Sequence, residues 1–243
     1  MKHCWLHPEN RIRERMDELK KLRILFIGKQ DDYCSKMAAD FIGRHFTGAK
    51  IVFSKRTQPI PSSVLEWEGD LLISYLAQWI IPGELLSKAR YAAINFHTGP
   101  PAYPGIGCTN FAIYNGEREF GITCHHMLAR VDSGSIIAVR KFPVLPADTV
   151  FTITQRCYSE IWHLFYELMT GLLQGRDLPQ SSEKWLRKPY TRKELNALCE
   201  LHPDMPEAEI QRRIKATTYG EKVWAYMIRG EERVPYFPQA KSE

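Results

Sequence analysis

The stretch Arg-Ile-Leu-Phe-Ile-Gly, residues 23–28, is the first of several short apolar runs that decide the fold. An apolar run of this length that ends in glycine is typical of a buried strand. Helical segments separate it from three similar runs: 50–54 (KIVFS), 70–75 (DLLISY) and 91–97 (YAAINFH). Strands that alternate with helices predict crossover connections and an α/β fold with a mostly parallel sheet, covered on both faces. The stretches 121–128 and 135–144 add two more predicted strands.

Helical patterns surround these strands. Asp31 and Asp32 are candidate N-caps of a helix that runs to about His45. Apolar residues recur at helical spacing over residues 149–173, which predicts one long amphipathic helix. The packing residues of that helix are expected to be Ile153, Cys157, Ile161, Leu164, Phe165, Leu168 and Leu172.

The end of the chain has a different pattern. Two short helices are expected around 192–199 and 207–216, followed by a hairpin over 222–237 that turns at Gly230. We therefore divide the chain near Tyr190. The expected parts are an N-terminal extension with a weak helical pattern, a main domain and a small C-terminal appendage, over residues 1–22, 23–190 and 191–243.

The composition is that of a globular cytoplasmic protein. The chain has 243 residues, 44% of them hydrophobic, and 33 Lys and Arg against 28 Asp and Glu. The formal net charge of +5 fits an anionic substrate and is far from that of a dedicated nucleic-acid binder. The N-terminus is too charged for a signal peptide, and the longest apolar run, 71–83, is too short to span a bilayer. Six scattered cysteines without a CxxC pair indicate reduced thiols, so we expect no membrane partner and a cytoplasmic location.

Polar side chains at the end of the fourth predicted strand are the first candidates for chemistry. Asn95 and His97 alternate with Phe96, so both project from one face near the carboxyl end of the strand. Ligands of open parallel sheets bind beyond those ends. Asp132, in the string Val-Asp-Ser-Gly, is a third candidate. A hydrogen-bonded core histidine, a turn-forming asparagine and ordinary Asp-Ser-Gly turn chemistry are the structural alternatives, and they stay open on these residues alone.

The loop 98–107 (TGPPAYPGIG) has three prolines and three glycines, which indicates a rigid connection with exposed backbone N–H groups. Its Gly-Ile-Gly string does not complete a GxGxxG fingerprint and follows a Pro-rich loop rather than a strand. We therefore do not expect nicotinamide binding. His125 and His126 are adjacent and face opposite sides of their predicted strand. Because the cysteines and histidines show no metal-ligand spacing, we expect no metal.

Four ordered pieces of the sequence resemble the folate-dependent N-formyltransferases. That family has Asn-x-His, a Pro-rich loop ending in glycine, Gly-x-Thr-x-His, and Asp-x-Gly. Here the pieces fall on Asn95 with His97, Gly105, 121–125, and Asp132 with Gly134. The resemblance covers roughly residues 22–175. It implies a Rossmann-like formyltransferase fold, 10-formyltetrahydrofolate as co-substrate, and Asn95, His97 and Asp132 as catalytic residues.

The resemblance also implies where ligands bind. The family's folate loop follows the third strand, so the expected folate contacts, Asp132 included, are Ala77, Gln78, Trp79, Ile80 and Ile81. A buried strand end is the alternative for that segment. Contacts to the acceptor substrate are expected from Thr98, Gly99, Tyr103 and Gly105. This loop is one residue shorter than in many members and has Pro104 at their basic position, which argues against a phosphate or tRNA contact there.

The last 53 residues indicate a subfamily. Residues 191–243 hold nine Lys and Arg and nine Asp and Glu, so this segment is neutral and a poor platform for tRNA. It resembles the C-terminal part of sugar-nucleotide N-formyltransferases, above all those that act on dTDP-4-amino-4,6-dideoxyglucose for bacterial surface polysaccharide (O-antigen) synthesis. That resemblance implies a homodimer and an aromatic residue stacked on the nucleotide base. Tyr219 is the candidate, with a hairpin core aromatic as the alternative.

The expected chemistry is attack of the acceptor amine on the formyl carbon. Asn95 would donate to the oxyanion, and His97 would take the amine proton or, when protonated, stabilise the oxyanion. Asp132 would orient His97 or relay a proton to the leaving nitrogen, and both roles stay open. The alternatives are a formyltransferase acting on phosphoribosylglycinamide or methionyl-tRNA, and a non-catalytic folate- or nucleotide-binding protein. The presence of all three polar residues argues against the last alternative.

Overall fold

One six-stranded sheet runs through the main part of the computed structural model, which describes residues 18–230 and 232–236. Its strands are β1 (Arg23–Lys29), β2 (Gly48–Ser54), β3 (Gly69–Tyr75), β4 (Ala89–His97), β5 (Glu119–His126) and β6 (Ile136–Pro143). They lie in the order β2-β1-β3-β4-β5-β6. The first four are parallel, and β5 and β6 join antiparallel at one edge. The predicted α/β fold with a mostly parallel sheet is confirmed.

Helices cover both faces of this sheet, which explains why the middle of β1 is apolar at consecutive positions. The helices are α1 (Tyr33–His45), α2 (Ser62–Leu65), α3 (Gly83–Leu86), α4 (Cys108–Asn115) and α5 (Val150–Leu173). In β1, Ile24 and Phe26 belong to the larger apolar cluster, which includes the buried face of α5. Leu25 and Ile27 point the other way, into a smaller cluster with Val64 of α2 and its neighbours. A strand that is buried on both faces has an unbroken run of apolar residues in its sequence.

Two helix starts follow from capping side chains. The Asp32 carboxylate accepts the Ser35 N–H over 2.7 Å, so α1 begins at the second of the two predicted caps. Thr149 and Thr152 form a reciprocal capping box at the start of α5. All seven residues predicted to pack from α5 are buried. The fifth strand ends at His126 rather than at residue 128, although the Met127 N–H still donates to the Ala93 carbonyl, and the chain bends at residues 129–130.

The C-terminal part contains two helices and short strands. They are α6 (Arg192–Cys199), β7 (Glu200–Leu201), α7 (Glu207–Thr217), β8 (Thr218–Tyr219), β9 (Lys222–Val223), β10 (Tyr226–Arg229) and β11 (Glu232–Pro235). Both predicted helices are confirmed. The single hairpin over 222–237 is wrong in its first part, because β9 pairs with β8 around Gly220, and the hairpin that turns at Gly230 joins β10 and β11. Both glycines have positive φ, 59° and 63°, so each supplies its own turn.

The appendage packs on the main part of the chain. Asn110 of α4 donates to the Ala216 carbonyl over 2.8 Å, and the Tyr114 hydroxyl donates to Glu209 over 2.8 Å. Leu198 and Ala216 belong to the larger apolar cluster. The predicted division near Tyr190 stays a prediction, as does the extension over 1–22, whose first 17 residues lie outside the described part. No helix among the described residues is both long and apolar enough to cross a membrane.

Candidate active site

A cavity of about 750 Å³ opens at the carboxyl ends of the parallel strands. Lys29 at the end of β1, the segment after β3 and the end of β4 all contribute to its wall. The 105–108 and 127–132 segments and residues 189–192 also line it. This is the edge at which ligands bind in open parallel sheets. All three predicted catalytic residues, Asn95, His97 and Asp132, line the cavity.

Asn95 and His97 reach this cavity because they occupy alternate positions of β4. Asn95 is half-buried, and His97 is 7% exposed. Antiparallel pairing with β5 sets Asn95 opposite His125, and the Asn95 Nδ2 atom lies 3.2 Å from His125 Nε2. The sheet therefore places a second histidine in direct contact with the asparagine.

Asp132 is held in the centre of these polar groups. Its backbone has φ 43°, a left-handed conformation that aspartate adopts more readily than most residues. The carboxylate accepts the Gly105 N–H over 2.7 Å. Its two oxygens lie 3.3 Å from His97 Nδ1 and 3.2 Å from His125 Nε2. One buried carboxylate thus connects the Pro-rich loop and both histidines.

The charge of Asp132 follows from these neighbours. Burial alone would raise the pKa of its carboxyl group. The His97 charge, the hydrogen bond and charge of His125, and the Gly105 N–H outweigh burial and lower the pKa of Asp132 to about 2. Asp132 is therefore ionised across the physiological range and is suited to hold a positive imidazolium.

His97 has an acceptor oxygen beside each ring nitrogen. Nε2 lies 2.8 Å from the Tyr103 carbonyl oxygen, and Nδ1 faces Asp132. A neutral imidazole carries one proton and can satisfy one of the two acceptors, whereas an imidazolium satisfies both. Both ring nitrogens of His97 are therefore engaged within the protein.

Gly99 makes the close approach to His97 possible. A Cβ atom there would lie 2.5 Å from the Tyr103 oxygen and 2.7 Å from His97 Nε2. A side chain at position 99 would separate the two atoms of this hydrogen bond. Thr123 of β5 also donates its hydroxyl to the Gly99 carbonyl over 2.8 Å.

His125 is the site residue that sequence reasoning missed, although it stands in the Gly-x-Thr-x-His string. Its Nδ1 lies 2.8 Å from the His126 carbonyl oxygen and therefore carries a proton. Nε2 lies 3.2 Å from the Asn95 amide nitrogen and 3.2 Å from an Asp132 oxygen, so it faces a donor and an acceptor at once. The contribution of His126 is its carbonyl oxygen, and burial together with the His125 charge lowers the pKa of its ring.

All five residues of the predicted folate segment line the cavity: Ala77, Gln78, Trp79, Ile80 and Ile81. Trp79 is fixed by its indole N–H, which lies 2.9 Å from the Gln58 carbonyl and 3.1 Å from the Lys55 carbonyl. Ile80 is 77% exposed, whereas Ile81 packs in the smaller apolar cluster. The segment is thus both a packed strand end and a cavity wall.

The predicted acceptor contacts divide into two groups. Thr98 and Gly105 line the cavity, whereas Gly99, Tyr103 and Tyr219 are not part of its lining. Tyr103 is buried, and its hydroxyl donates to Glu117 over 2.6 Å. Its contribution to the site is the carbonyl oxygen next to His97.

Tyr219 packs edge-on against Phe151 and accepts the Gln155 amide over 3.2 Å. It contributes to the electrostatic environment of Lys29 and Tyr158, which do line the cavity. Tyr219 therefore lies beside the cavity wall. Its predicted role as the base-stacking residue stays a prediction.

Four cationic side chains also line the cavity, and sequence reasoning singled out none of them. They are Lys29, Arg56, Arg130 and Arg192. Within the described part of the chain, Asp132 is the acidic residue of this lining. Burial opposes the charge of Lys29, but the Tyr158 hydroxyl, 3.0 Å from Nζ, and other neighbours raise the pKa of Lys29. The cavity therefore favours anionic ligands.

No group of three His, Cys, Asp or Glu side chains in 18–230 and 232–236 is arranged to hold a metal ion. Cys108 lines the cavity, but burial raises the pKa of its thiol to about 11. The thiol donates to the Thr98 carbonyl over 3.0 Å. Cys108 is therefore a neutral packing group rather than a nucleophile.

Known proteins share this fold and part of this sequence. The Formyl transferase family matches residues 26–167, which is more than half of the chain. Methionyl-tRNA formyltransferase from Geobacillus thermodenitrificans is 30% identical over 183 residues, covering 71% of this chain and 56% of that protein. The chain spans about half the length of the curated relatives it matches. It belongs to the formyl transferase family, so the resemblance carried by the four sequence pieces is confirmed.

Solved structures match over more of the chain. A sugar N-formyltransferase from a Shewanella species has a TM-score of 0.69 at 20% identity, over 88% of this chain and 95% of that one. An N-formyltransferase from Helicobacter canadensis, solved with folinic acid and dTDP-3-aminofucose, has a TM-score of 0.65 at 17% identity. That match covers 87% of this chain and 86% of the other. At such identities the likeness concerns the fold, which includes the C-terminal part.

Proposed function

We propose that this protein transfers a formyl group from 10-formyltetrahydrofolate to the amine of a nucleotide-linked amino sugar. The expected acceptor is dTDP-4-amino-4,6-dideoxyglucose. The observation that carries the proposal is the connected set of Asn95, His97 and Asp132 at a cavity with four cationic side chains. Membership of the formyl transferase family supports the chemistry. The fold shared with sugar N-formyltransferases supports the acceptor class.

The cavity fits a folate. Its volume of about 750 Å³ lies in the range of small-molecule sites, about 300–1,000 Å³. Residues 77–81 give one wall, and Met127, Leu128 and Val131 add apolar surface. When bound, 10-formyltetrahydrofolate supplies a formyl carbon on a nitrogen leaving group. The apolar wall would hold its flat rings, and the polar groups of the site would face the formyl group.

Asn95 is suited to stabilise the oxyanion. The Asn95 amide nitrogen lies 3.2 Å from His125 Nε2 in the cavity wall, and the amide would donate to the formyl oxygen as negative charge develops. An amide fixed in advance needs little reorganisation during the reaction, which is the basis of oxyanion stabilisation. His125 would act on the reaction through this orientation.

His97 is suited to the same task as a cation. Both of its ring nitrogens face acceptors, so accepting the amine proton would first require one nitrogen to leave its oxygen. The geometry therefore supports the second of the two roles considered for His97, charge stabilisation. Asp132, 3.3 Å from His97 Nδ1, would orient the ring and stabilise its charge.

The net reaction is balanced without an oxidant, reductant or metal. A bond forms between the acceptor nitrogen and the formyl carbon, and the bond from that carbon to the donor nitrogen breaks. One proton leaves the acceptor nitrogen and one proton reaches the donor nitrogen. Asp132, near both histidines and open to the cavity, is the residue best placed to pass that proton on, directly or through water.

The cations support an acceptor that carries a diphosphate. Lys29, Arg56, Arg130 and Arg192 all line the cavity, so cationic groups are available to hold phosphate oxygens. A diphosphate near Lys29 would bring a nucleoside towards Tyr158 and Tyr219. The appendage would also form a homodimer, and the product would enter bacterial surface polysaccharide (O-antigen) synthesis.

One experiment tests the proposal. Purified protein is incubated with 10-formyltetrahydrofolate and with dTDP-, UDP- and GDP-linked amino sugars, phosphoribosylglycinamide, or methionyl-tRNA. Mass spectrometry then detects the gain of one formyl group. Formylation of a nucleotide sugar supports the proposal. Formylation of methionyl-tRNA or phosphoribosylglycinamide alone would show that the acceptor belongs to a different class. Binding of folate without transfer to any acceptor points to a non-catalytic protein. Sedimentation of the same preparation tests the dimer.

A further inference from the structure

The segment that joins α5 to α6 carries a tryptophan against both histidines of the site. Trp185 is half-buried and is not part of the cavity lining. Its ring centroid lies 5.0 Å from that of His125, with the planes at 84°, and 5.9 Å from that of His97, with the planes at 71°. Near-perpendicular aromatic contacts at these distances are favourable and directional.

Trp185 is also bonded to the turn that carries Asp132. Its indole N–H donates to the Gly134 carbonyl over 2.8 Å, two residues from the carboxylate. Gly134 packs so closely on the His126 carbonyl that a Cβ atom there would clash with it. Trp185 therefore contacts both imidazole rings and is hydrogen-bonded to the turn that carries Asp132.

The backbone around Trp185 is itself fixed. The Ser181 N–H donates to the Ile136 carbonyl over 3.0 Å, and the Leu186 N–H donates to the Pro101 carbonyl over 3.0 Å. The Tyr190 N–H donates to the Pro104 carbonyl over 2.8 Å. These bonds attach the segment to β6 on one side and to the Pro-rich loop on the other, so the indole has a defined position.

We propose that Trp185 is a positioning residue that fixes the ring orientations of His97 and His125 and the turn that carries Asp132. The activity readout of this inference rests on the proposed function, and its spectroscopic readout does not. Polar partners already contact both nitrogens of each histidine, and Trp185 adds a near-perpendicular contact to each ring. Without that contact the rings can tilt, and small displacements of reacting groups are costly to rate.

Two substitutions separate the aromatic contacts of Trp185 from its hydrogen bond to Gly134. Trp185→Leu removes the aromatic contact and the N–H donor, whereas Trp185→Phe keeps an aromatic ring and removes the donor. Leu186→Ala is the matched control, since Leu186 is the adjacent residue of the same segment and is 75% exposed. All three proteins are compared with the wild type at one pH.

The spectroscopic test uses the imidazole ¹⁵N chemical shifts of His97 and His125, which report the tautomer and protonation of each ring. We expect both sets of shifts to change in Trp185→Leu, to change less in Trp185→Phe, and to stay as in the wild type in Leu186→Ala. If Trp185→Leu does not fold, Trp185→Phe still tests the proposal, because it lacks the hydrogen bond to the Gly134 carbonyl. Wild-type shifts at both histidines in a folded Trp185 variant overturn the proposal. A protein that formylates no acceptor loses the proposed function but leaves this test intact.

The kinetic test separates positioning from substrate contact. In Trp185→Leu we expect kcat to fall by about 10- to 100-fold, with unchanged KM for folate and acceptor. In Trp185→Phe we expect a smaller fall in kcat. A raised KM with wild-type kcat would make Trp185 a substrate contact and would overturn the positioning role.

Discussion

The backbone N–H of Gly105 donates to the carboxylate of Asp132 over 2.7 Å, and this bond connects the Pro-rich loop to the turn after β5. Gly105 has φ 91°, a conformation that is costly for other residues. A Cβ atom there would clash with the Tyr190 carbonyl and would lie 2.5 Å from the Tyr190 nitrogen. The hydrogen bond to the Asp132 carboxylate therefore requires glycine at position 105 for two independent reasons.

Gly105→Ala should weaken both folding and turnover. The positive φ alone costs about 1–3 kcal/mol, and the contact with Tyr190 adds to it. Movement of the loop would also release Asp132. Gly116→Ala is the matched control, because Gly116 has φ 68° but no atom within 4 Å of the added Cβ. Urea unfolding and turnover are measured for both, and equal effects at the two positions would show that the contact with Tyr190 does not matter.

Asn95→Ala should lower kcat by about 10²–10³-fold, because one oxyanion donor is lost. The KM for folate should change little, since the amide is needed most after the charge develops. Asn95→Asp keeps the shape and removes the donor, so it should be similarly slow. Single-turnover kinetics and folate titration separate rate from binding. A normal rate with weakened folate affinity would make Asn95 a simple folate contact.

At acidic pH, the free energy of unfolding should depend less on pH in Asp132→Asn than in the wild type. The folded-state pKa of about 2 lies below the ordinary value of 3.8, so the ionised carboxylate stabilises the folded protein. That contribution is present above about pH 4 and disappears as the pH falls through 2. Between about pH 5 and about pH 2, the variant should lose about 2 kcal/mol less than the wild type.

The measurement for Asp132→Asn is urea unfolding across this pH range. Asp204→Asn, at an exposed position in the appendage, is the control and should follow the wild-type curve. If the Asp132→Asn curve also runs parallel to the wild type, the histidines and Gly105 do not stabilise the carboxylate.

Lys29→Met should weaken the binding of dTDP by about 10-fold or more, because a hydrogen bond to a charged group contributes about 1.5–3 kcal/mol. Folate affinity should be unchanged, and Lys29→Arg should restore part of the dTDP affinity. Lys36→Met, on the exposed side of α1, is the control. Calorimetry with dTDP and with folate measures both. Wild-type dTDP affinity in Lys29→Met would remove Lys29 from the phosphate site.

Tyr219→Ala should weaken dTDP binding by roughly 10-fold, given that stacking on a base is worth about 1–3 kcal/mol. Tyr219→Phe keeps the ring and loses the Gln155 bond, so it should bind dTDP as the wild type does. Loss of affinity in both variants would assign the effect to the hydroxyl. No loss in either would make Tyr219 a packing residue on Phe151.

The sequence predicts the parts of this molecule that depend on local pattern. The strands, α1 and α5 follow from apolar spacing and capping side chains, and the edge-of-sheet rule brings Asn95 and His97 to the cavity. His125 was not assigned a role, because its contact with Asp132 depends on the left-handed turn at Asp132 itself.

Longer-range contacts were beyond sequence reasoning. Lys29 and Tyr158 are 129 positions apart, and the bond between them follows from the crossing of α5 over the end of β1. Trp185 lies in a linker without periodicity, so no pattern indicates that it reaches the histidines. The β8–β9 pair was missed because the predicted hairpin began after Gly220 and so omitted the first turn.

The parallel bridge between Gly105 and Tyr190 limits how this chain can be recombined with its relatives. A chimaera that takes its appendage from another acceptor class would be joined most naturally at the linker. A crossover at Tyr190 itself would set a foreign residue against Gly105 and so disturb the hold on Asp132. A crossover after the first turn of α6 would retain both Gly105 and Tyr190, whereas any crossover between Gly105 and Tyr190 would separate them. Exchange of substrate specificity in this architecture therefore favours particular breakpoints.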